Sequence, residues 1–288
     1  MGDKKALILG AHGQLGRCLA AAAPDDVMVT ALGSHDLDIR DRAAVGRFIR
    51  DLAPDLVFNA AAYTAVDRAE QEETIAHAVN ATAVGHIAEA AADAGATLIH
   101  VSTDFVFDGA SATPYAPDDP TNPLCAYGRT KRAGELLAGD AALVVRTAWL
   151  YGPDGANFVR TMVRLMAERP EVRVVADQVG SPTYAPDLAA ALWRLSALGV
   201  TGVHHYTDAG TASWYDFAVA IRDEALAVGI LARGVPVIPI DTASFPTPAR
   251  RPAYSVLDKG STWAALGEPS SHWRANLRRM MTEIGTHG

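Results

Sequence analysis

Short apolar runs alternate with longer amphipathic segments along the first 150 residues of the chain. Five runs are brief and rich in branched side chains, as is typical of strands buried in a parallel sheet; they cover residues 6–9, 27–32, 56–59, 97–102 and 143–146. Four segments of helical length lie between them, at residues 14–23, 42–52, 74–94 and 127–138. This alternation predicts an α/β fold with a doubly wound parallel sheet and helices on both of its faces.

Beyond residue 151 the rhythm loosens, although helical segments continue. The pattern predicts helices near residues 157–168, 187–198 and 214–228 and a last helix after Ser271, separated by proline-bearing loops. Because no flexible linker divides the chain, we expect a sheet domain over residues 1–150 and a smaller, mainly substrate-binding portion over residues 151–288. This second portion should pack on the carboxyl edge of the sheet rather than form a separately linked domain, since open parallel sheets bind ligands at that edge.

The first predicted strand runs directly into a glycine-rich loop, Gly10-Ala11-His12-Gly13-Gln14-Leu15-Gly16, which opens the first predicted helix. Glycines at this spacing allow a tight turn and a close approach of the backbone to a pyrophosphate. The helix N-terminus then presents free N–H groups to the anion. Because a chain with 24 glycines shows some such spacings by chance, the position between strand and helix carries the argument. It indicates a dinucleotide-binding domain of the Rossmann type over residues 1–150.

The end of the second strand bears on the choice of cofactor, because an acidic residue there usually binds the adenine ribose 2′-OH. Here the strand ends in Leu32-Gly33-Ser34, and the nearest carboxylates are those of Asp36 and Asp38. Ser34 can hydrogen-bond a 2′-phosphate, but no arginine is adjacent, so the preference for NADPH is mild and NADH stays open. Asp38 has two open roles: it lies near the adenine together with Ile39, or it caps the following helix.

Tyr127 and Lys131 lie four residues apart in a predicted helix, so their side chains share one face. The pair stands out because the chain has 21 arginines and only four lysines, and no other tyrosine is followed by a lysine four residues later. A free phenol, with a pKa of about 10, is a poor acid–base catalyst at neutral pH, and a neighbouring ammonium lowers that pKa. The spacing therefore predicts an acid–base pair, in which the lysine can also donate to a ribose hydroxyl.

A hydroxyl at the end of the fourth predicted strand completes this set. The strand runs into Ser102-Thr103-Asp104 at the carboxyl edge of the sheet, where a hydroxyl can bind a substrate carbonyl and stabilise a developing alkoxide. We choose Thr103 over Ser102, because alternation along the strand lets only one of them face the cleft. The structural alternative is that these hydroxyls cap their own backbone.

Composition narrows the partners of the protein. The 288 residues carry a formal net charge of −8, which argues against a binder of the nucleic-acid backbone. No window offers the run of about 20 apolar residues that a membrane span needs, and the N-terminal apolar run is too short for a signal peptide. Cys18 and Cys125 lie far apart, without the spacing of a disulfide framework or a metal site. We therefore expect a cytoplasmic protein with no nucleic-acid and no membrane partner.

Together these stretches resemble the extended short-chain dehydrogenase/reductases and, within them, the dTDP-4-dehydrorhamnose reductase family. The glycine loop and the Tyr127–Lys131 pair are shared widely in that superfamily. The more specific markers are residues 59–67 (NAAAYTAVD), 107–109 (FDG) and 177–183 (DQVGSPT), and further matches are residues 102–104, 146–152, 157–158 and 251–255. The resemblance extends from the first strand to about residue 257 and so covers nearly the whole chain.

The resemblance implies that NADPH or NADH reduces the C4 ketone of dTDP-4-dehydro-β-L-rhamnose to dTDP-β-L-rhamnose, in dTDP-rhamnose biosynthesis. It implies a catalytic set of Thr103, Tyr127 and Lys131. The implied cofactor contacts are Gly10, His12, Gly13, Gln14, Leu15, Gly16, Asp38, Ile39, Ala60, Ala61, Ala62, Tyr127 and Lys131. The implied substrate contacts are Tyr63, Thr64, Asp104 and Trp149. The expected partner is a dTDP-sugar, and the expected state is a monomer or homodimer.

Several residues keep a structural alternative. Trp149 follows a strand and is also explained as a core aromatic, and Asp104 as the cap of a turn. Asn80 resembles the asparagine that braces the active-site lysine in the superfamily, but an asparagine in mid-helix often faces solvent. Three arginines are available to a diphosphate or else engaged in ion pairs, namely Arg146, Arg250 and Arg251.

The sequence departs from the family pattern in two places. The acidic residue often found at the tip of the second strand is Gly33 here, which leaves the choice between NADH and NADPH open. Some members bind Mg²⁺ through glutamates at a dimer interface, but residues 184–187 (YAPD) and the C-terminal tail offer no matching glutamates. Mg²⁺ is therefore implied by family analogy alone, and we predict no metal ligands.

Three other functions remain as alternatives. A sister reductase of another dTDP-4-keto-6-deoxysugar has the same catalytic set. A dehydratase or epimerase shares the fold, but a dehydratase needs a second carboxyl group where Phe105 stands. A non-catalytic regulatory subunit of the methionine adenosyltransferase type is disfavoured by the intact set of threonine, tyrosine and lysine.

Overall fold

The computed structural model describes residues 4–286, in which strands and helices alternate as the apolar pattern predicts. The strands are β1 Lys4–Leu9, β2 Val27–Leu32, β3 Leu56–Asn59, β4 Thr97–Thr103, β5 Leu143–Thr147, β6 Leu150–Tyr151, β7 Val172–Val175, β8 Val179–Gly180, β9 Thr183–Tyr184, β10 Gly202–His205, β11 Ala212–Ser213 and β12 Val237–Ile240. The helices are α1 Gln14–Ala21, α2 Arg42–Leu52, α3 Val66–Ala69, α4 Glu73–His77, α5 Ala83–Asp93, α6 Ala126–Ala138, α7 Phe158–Glu168, α8 Ala185–Ala197, α9 Trp214–Ala227, α10 Gly260–Leu266 and α11 Trp273–Thr286.

The central sheet has six parallel strands in the order β10-β5-β4-β3-β1-β2. From β1 the chain crosses to β2 on one side and then returns to β3 on the other side of β1. The loops that follow β1 and β3 therefore diverge, and a crevice opens between them at the carboxyl edge. This is the switch point at which doubly wound sheets bind ligands.

The sheet is buried on both faces, which explains its continuous apolar strands. In β1, Ala6 and Ile8 pack into the core under α1 and α8, whereas Leu7 and Leu9 pack into the core under α2 and α5. This alternation is the two-residue period of a strand. The predicted doubly wound α/β fold is confirmed.

The predicted element bounds hold closely, with one difference. The helix predicted over residues 74–94 is divided into α4 and α5 by a π-helical segment, Ala78–Thr82. This segment places Asn80 against Gly134 of α6, where an added Cβ would lie 2.0 Å from the Asn80 carbonyl oxygen. The π-helical turn accompanies this close contact between α6 and the segment at Asn80. The hydrophobic periodicity of the sequence does not reveal such a contact.

The second portion of the chain has a core of its own, formed by α7, α9 and α11 together with β7 and β12. It also returns to the sheet, because β10 is an edge strand of the sheet and α8 packs against α1. The carboxyl edge of the sheet is thus flanked by elements from beyond residue 151. The predicted division into residues 1–150 and 151–288 stays a prediction, and the chain passes across it more than once.

Candidate active site

The glycine loop forms a tight turn between β1 and α1. Gly10 has φ +79°, and a Cβ there would lie 2.6 Å from the backbone nitrogen of Ala61, so glycine lets the loops after β1 and β3 touch. At Gly16 a Cβ would meet the Gly10 carbonyl oxygen at 2.2 Å, so this glycine lets α1 pack on the turn. Gly13 is the N-cap of α1 and has no side chain to cover the first-turn N–H groups. These groups are therefore open to an anion such as a pyrophosphate.

Most of the predicted cofactor contacts meet in two adjoining cavities. A cavity of about 400 Å³ lies between the loops that follow β1, β2 and β3, and it is lined by Gly10, His12, Gly13, Asp38, Ile39, Ala60, Ala61 and Ala62. The next cavity, of about 600 Å³, shares four of these residues and adds Gln14, Leu15, Tyr127 and Lys131. We call them the cofactor-side cavity and the catalytic cavity. Together they form one groove that fits a dinucleotide laid across the switch point.

Asp38 lies in the wall of the cofactor-side cavity. Its carboxylate accepts hydrogen bonds from Arg40, at 2.7 Å from Nη2 and 2.9 Å from Nε, and these bonds hold the pKa of Asp38 below its ordinary value. The N-cap of α2 is Asp41, which accepts from the N–H of Ala44 at 3.0 Å. The alternative that Asp38 caps this helix is therefore wrong, because the N-cap lies three residues later and the helix begins at Arg42.

The tip of β2 is shaped by a histidine from the glycine loop. The His12 ring lies over Gly33, where a Cβ would come within 2.2 Å of Nδ1, so the usual acidic side chain has no room unless His12 moves. Arg40 lines the same cavity as Gly33 and Ser34. The inference from the sequence that no arginine is at hand is wrong, because the chain turns back after β2. Arg40 and Ser34 are thus candidates to bind a 2′-phosphate.

Helix α6 carries the predicted tyrosine and lysine into the catalytic cavity. Its first N–H, that of Ala126, donates to the Glu70 carboxylate at 2.7 Å, which stabilises the positive end of the helix. The next turn lies close to the segment after β4, because a Cβ on Gly128 would come within 2.2 Å of the Phe105 carbonyl oxygen. The Phe105 ring meets the Tyr127 ring edge-on, with centroids 5.6 Å apart. The tyrosine is thereby aimed at the end of β4.

Thr103 lies at that end, beside Tyr127. Its hydroxyl donates to Asp104 Oδ1 at 3.0 Å and accepts from the N–H of Phe105 at 3.2 Å. The predicted site role and the capping alternative therefore apply to the same side chain, since the hydroxyl caps a short 3₁₀ turn inside the cavity. Ser102 also lines the cavity. The choice of Thr103 over Ser102 stays a prediction, because both residues belong to the wall of the cavity.

The protonation of Tyr127 differs from the prediction made on its spacing to Lys131. Burial raises the pKa of the Tyr127 phenol well above its ordinary value, and the Thr103 hydroxyl only partly offsets this. The Lys131 ammonium donates to the Val101 carbonyl of β4 at 2.6 Å, and it is not among the groups that lower the pKa of Tyr127. At neutral pH the phenol is protonated, which is the form that a proton donor needs.

Two other ionisable groups of the cavity have shifted pKa values. Burial lowers the pKa of Lys131 to about 8, against the opposing effect of the Glu135 carboxylate. Burial raises the pKa of Asp104 to about 6, although hydroxyls of Ser255 and Thr103 hydrogen-bond the carboxylate. Oδ2 of Asp104 has no hydrogen-bond partner among residues 4–286. Asp104 is buried in the wall of the cavity, so Oδ2 is an unpartnered buried acceptor beside the site.

The segment after β3 is held by Asn80. The Asn80 amide accepts from the backbone N–H of Tyr63 at 2.8 Å, and it donates to the Tyr63 carbonyl and to Thr130, each at 3.1 Å. Asn80 is therefore buried rather than solvent-facing, and it braces this segment and α6 rather than Lys131. Tyr63 lines the cofactor-side cavity and Thr64 the catalytic cavity. Of the two, only Thr64 lies where a sugar contact was predicted.

Trp149 forms one wall of the catalytic cavity. It has φ +47°, a strained value for a tryptophan, and its ring stacks on Trp214 of α9 with centroids 3.6 Å apart. Gly180 lies directly beneath, where a Cβ would come within 2.8 Å of the Trp149 ring. The roles of core aromatic and of site residue therefore apply to the same side chain. One face of the Trp149 ring packs on the second portion of the chain, while the side chain lines the site.

The three arginines considered for a diphosphate differ in the structure. Arg146 is buried and donates to Glu135 through Nε at 2.8 Å and Nη2 at 2.9 Å, so its role is an internal ion pair. Arg251 donates to Asp67 Oδ2 at 2.9 Å. Arg250 is exposed to solvent. The alternative that Arg146 binds a diphosphate is therefore wrong, and the alternative of an ion pair applies.

Sequence reasoning missed residues that reach the site through the fold. Arg17, one turn into α1, lines the catalytic cavity and donates to the His12 carbonyl. Its position directly after the glycine loop is a sequence signal for a side chain near the cofactor. Gly155 and Ala156 also line this cavity from the loop before α7. No local pattern marks these two residues.

No metal centre is found in the part of the chain that the structure describes, because no three His, Cys, Asp or Glu side chains there are grouped to hold an ion. The donors that Mg²⁺ would need are thus not assembled within residues 4–286, and we derive no step through a metal. Over the same residues, no helix combines the length and apolar character required to cross a membrane.

Known proteins resemble this chain in sequence and in structure. The family model of the RmlD substrate binding domain matches residues 4–286. The chain is 47% identical over 286 residues to a dTDP-4-dehydrorhamnose reductase of Mycobacterium tuberculosis, which covers 96% of this chain and 91% of the relative. The crystal structure of such a reductase from Clostridium acetobutylicum superposes with a TM-score of 0.92 at 40% identity, covering 97% of this chain and 99% of the other.

A second solved structure bears on the cofactor. The dTDP-4-dehydrorhamnose reductase of Bacillus anthracis, determined in complex with NADP, has a TM-score of 0.92 at 35% identity and covers 98% of this chain and 99% of its own. In both comparisons the likeness extends over nearly the whole chain. The chain belongs to the family of the RmlD substrate binding domain.

Proposed function

We propose that this protein is a dTDP-4-dehydrorhamnose reductase, which reduces the C4 ketone of dTDP-4-dehydro-β-L-rhamnose with NADPH to give dTDP-β-L-rhamnose. The observation that carries the proposal is the meeting of Thr103, Tyr127 and Lys131 in a cavity that continues into the groove of the glycine loop. The names of the relatives and the NADP bound by one of them support the same reaction. Because this substrate is a small water-soluble nucleotide-sugar, we place the reaction in the cytoplasm.

The side chains of the cavity divide the chemistry among them. When bound, NADPH supplies the hydride. Tyr127 donates its proton to the carbonyl oxygen as that oxygen becomes an alkoxide. The Thr103 hydroxyl hydrogen-bonds the same oxygen and stabilises the developing charge. Lys131, anchored on the Val101 carbonyl, would use its remaining N–H groups to hold the ribose of a bound cofactor.

A third cavity suits the nucleotide part of the substrate. It has a volume of about 400 Å³, lies between α7, β7 and α9, and is lined by Phe158, Thr161, Met162, Leu165, Arg169, Val172, Arg173, Val174, Val175, Gln178, Trp214, Phe245, Thr247 and Arg251. Trp214 is shared with the stack on Trp149, so this cavity adjoins the catalytic one. Aromatic walls suit a base, and arginines suit a diphosphate.

The arginines of the third cavity, between α7, β7 and α9, provide a test of the nucleotide site. We expect Arg173→Ala to raise the KM for the dTDP-sugar about tenfold, the loss of one charged hydrogen bond, and to leave the KM for NADPH unchanged. Arg164→Ala is the matched control, because Arg164 is exposed, lies on α7 and pairs with Glu168 outside the cavity. Equal KM values for both variants would place the diphosphate elsewhere.

The catalytic assignment is tested by Tyr127→Phe, which removes the proton donor and keeps the ring that packs on Phe105. We expect NADPH oxidation with the keto-sugar to fall by at least about 10²-fold, while the circular dichroism spectrum and NADPH binding stay as in the wild type. The measurement is the decrease of NADPH absorbance under saturating substrate. Near-normal turnover in this variant would refute the role of Tyr127.

Identification of the sugar product separates the related functions. Magnetic resonance of the isolated product distinguishes dTDP-β-L-rhamnose from the epimer that a sister reductase would make. A dehydratase or epimerase would convert its substrate without net consumption of NADPH. A protein that binds NADPH but turns over no keto-sugar would favour the non-catalytic alternative.

A further inference from the structure

Helix α6 carries a buried carboxylate, Glu135, on the same face as Tyr127 and Lys131. Glu135 follows Lys131 by one helical turn, so the three side chains lie on one face at intervals of four residues. Glu135 and Lys131 are both buried, although charged side chains seldom are. A buried carboxylate directly behind the active-site lysine calls for a physical reason.

The partner of Glu135 ties α6 to the sheet. Arg146, the fourth residue of β5, donates to both carboxylate oxygens of Glu135, at 2.8 and 2.9 Å, and its third nitrogen donates to the Pro117 carbonyl at 3.0 Å. Lys131 is bonded to the Val101 carbonyl of β4. Two successive turns of α6 are therefore fixed to two neighbouring strands, and the turn before them carries Tyr127.

Charge is concentrated around the lysine. Glu135 and His100 on β4 interact electrostatically with Lys131, Tyr127 and Asp104 lie in the wall of the same cavity, and Arg132 on α6 and Arg146 on β5 bind Glu135. Arg132 donates to Glu135 Oε2 at 3.1 Å. The Glu135 carboxylate thus acts on the Lys131 ammonium and also binds two guanidinium groups. Without its charge, the buried Arg146 and the buried Lys131 would lose their shared anion.

We propose that Glu135 is a positioning residue of the reaction, which keeps Lys131 in its charged form and, through Arg146, fixes the face of α6 that aims Tyr127. The part that concerns Tyr127 rests on the proposed function. The part that concerns the charge of Lys131 is independent of any activity. The opposing effects of burial and of Glu135 on the pKa of Lys131 agree with this role.

The chain is well suited to a direct measurement, because it has only four lysines, Lys4, Lys5, Lys131 and Lys259. Protein labelled with ¹³C at lysine Cε gives four side-chain signals, whose titration with pH is followed by magnetic resonance. In Glu135→Gln we expect the pKa of Lys131 to fall by about one pH unit or more, because the substitution removes the negative charge that opposes the effect of burial. An unchanged pKa of Lys131 would overturn the proposal.

Two further variants control for a merely structural effect. Glu224→Gln removes another buried carboxylate, which pairs with Arg278 through two hydrogen bonds of 3.0 Å far from α6, and it should leave the titration of Lys131 unchanged. Arg132→Gln removes a half-exposed cation and keeps the Glu135–Arg146 pair, so the pKa of Lys131 should rise. If Glu135→Gln does not fold, a fall or no change in Arg132→Gln would still overturn the proposal.

The pH profile of turnover tests the consequence for the reaction. In Glu135→Gln the basic limb of kcat should move to lower pH along with the pKa of Lys131, and Glu135→Asp, which keeps the charge, should restore the wild-type limb. A loss of kcat with no movement of the limb would show a structural role only and overturn the proposal. If the wild type turned over no keto-sugar, the proposed function would fail while the lysine titration still decided the role of Glu135.

Discussion

Gly134 offers the sharpest test of how the helices hold the active site. It lies in α6 between Lys131 and Ala138, where the chain passes the π-helical segment around Asn80. A Cβ on Gly134 would lie 2.0 Å from the Asn80 carbonyl oxygen and 3.2 Å from its carbonyl carbon. The replacement Gly134→Ala therefore adds one methyl group where no space exists.

The magnitude follows from the distance that must open. To restore an ordinary contact of 3.4 Å, α6 and the segment at Asn80 must separate by about 1.4 Å. Overpacking of this kind costs about 1–3 kcal/mol, and the better helix propensity of alanine returns up to about 1 kcal/mol. We expect the free energy of unfolding of Gly134→Ala to fall by about 1–2 kcal/mol. Because Asn80 also holds Tyr63, and α6 carries Tyr127, a shift of this size should lower kcat by about 10²-fold.

Urea unfolding and turnover with saturating keto-sugar are the two measurements. The matched control is Gly46→Ala in α2, where an added Cβ meets nothing within 4 Å; it should stabilise the protein by about 0.5–1 kcal/mol without affecting kcat. If Gly134→Ala were as stable as Gly46→Ala and fully active, the close contact between α6 and Asn80 would not exist as described.

Two further predictions concern charge. Burial raises the pKa of Asp208 to about 7, so the folded state holds a proton that the unfolded state releases above about pH 4. The stabilisation of the folded state by this proton is therefore fully present below about pH 4 and is lost as the pH rises to about 7. Asp208→Asn should therefore remove a decline in the free energy of unfolding of about 3–4 kcal/mol between pH 4 and pH 8, and equal pH dependence in both proteins would contradict the shift. Arg40→Ala should raise the KM for NADPH about tenfold relative to that for NADH, as measured by initial rates; an unchanged ratio would show that Arg40 does not bind the 2′-phosphate.

Much of the first half of the fold was predictable from local pattern. The bounds of β2, β3 and α2 agree with the apolar runs at 27–32, 56–59 and 42–52, because strand and helix periods depend on neighbours within a few residues. The spacing of Tyr127 and Lys131 and the glycine loop are local in the same sense. Their meeting in one groove follows from the rule that parallel strands end at a common edge.

The sequence by itself determined five strands of the central sheet, the longer helices and the residue types that carry the chemistry, since these depend on short-range periodicity and on side-chain identity. It did not indicate β10, the sixth strand of the sheet. Only the tertiary structure decided which charges are buried and which groups they meet. Arg146 is paired with Glu135 rather than free for a diphosphate, Arg40 returns to the tip of β2, and the pKa of Tyr127 is raised instead of lowered. Each outcome depends on desolvation and on contacts between separate elements, which no local pattern encodes.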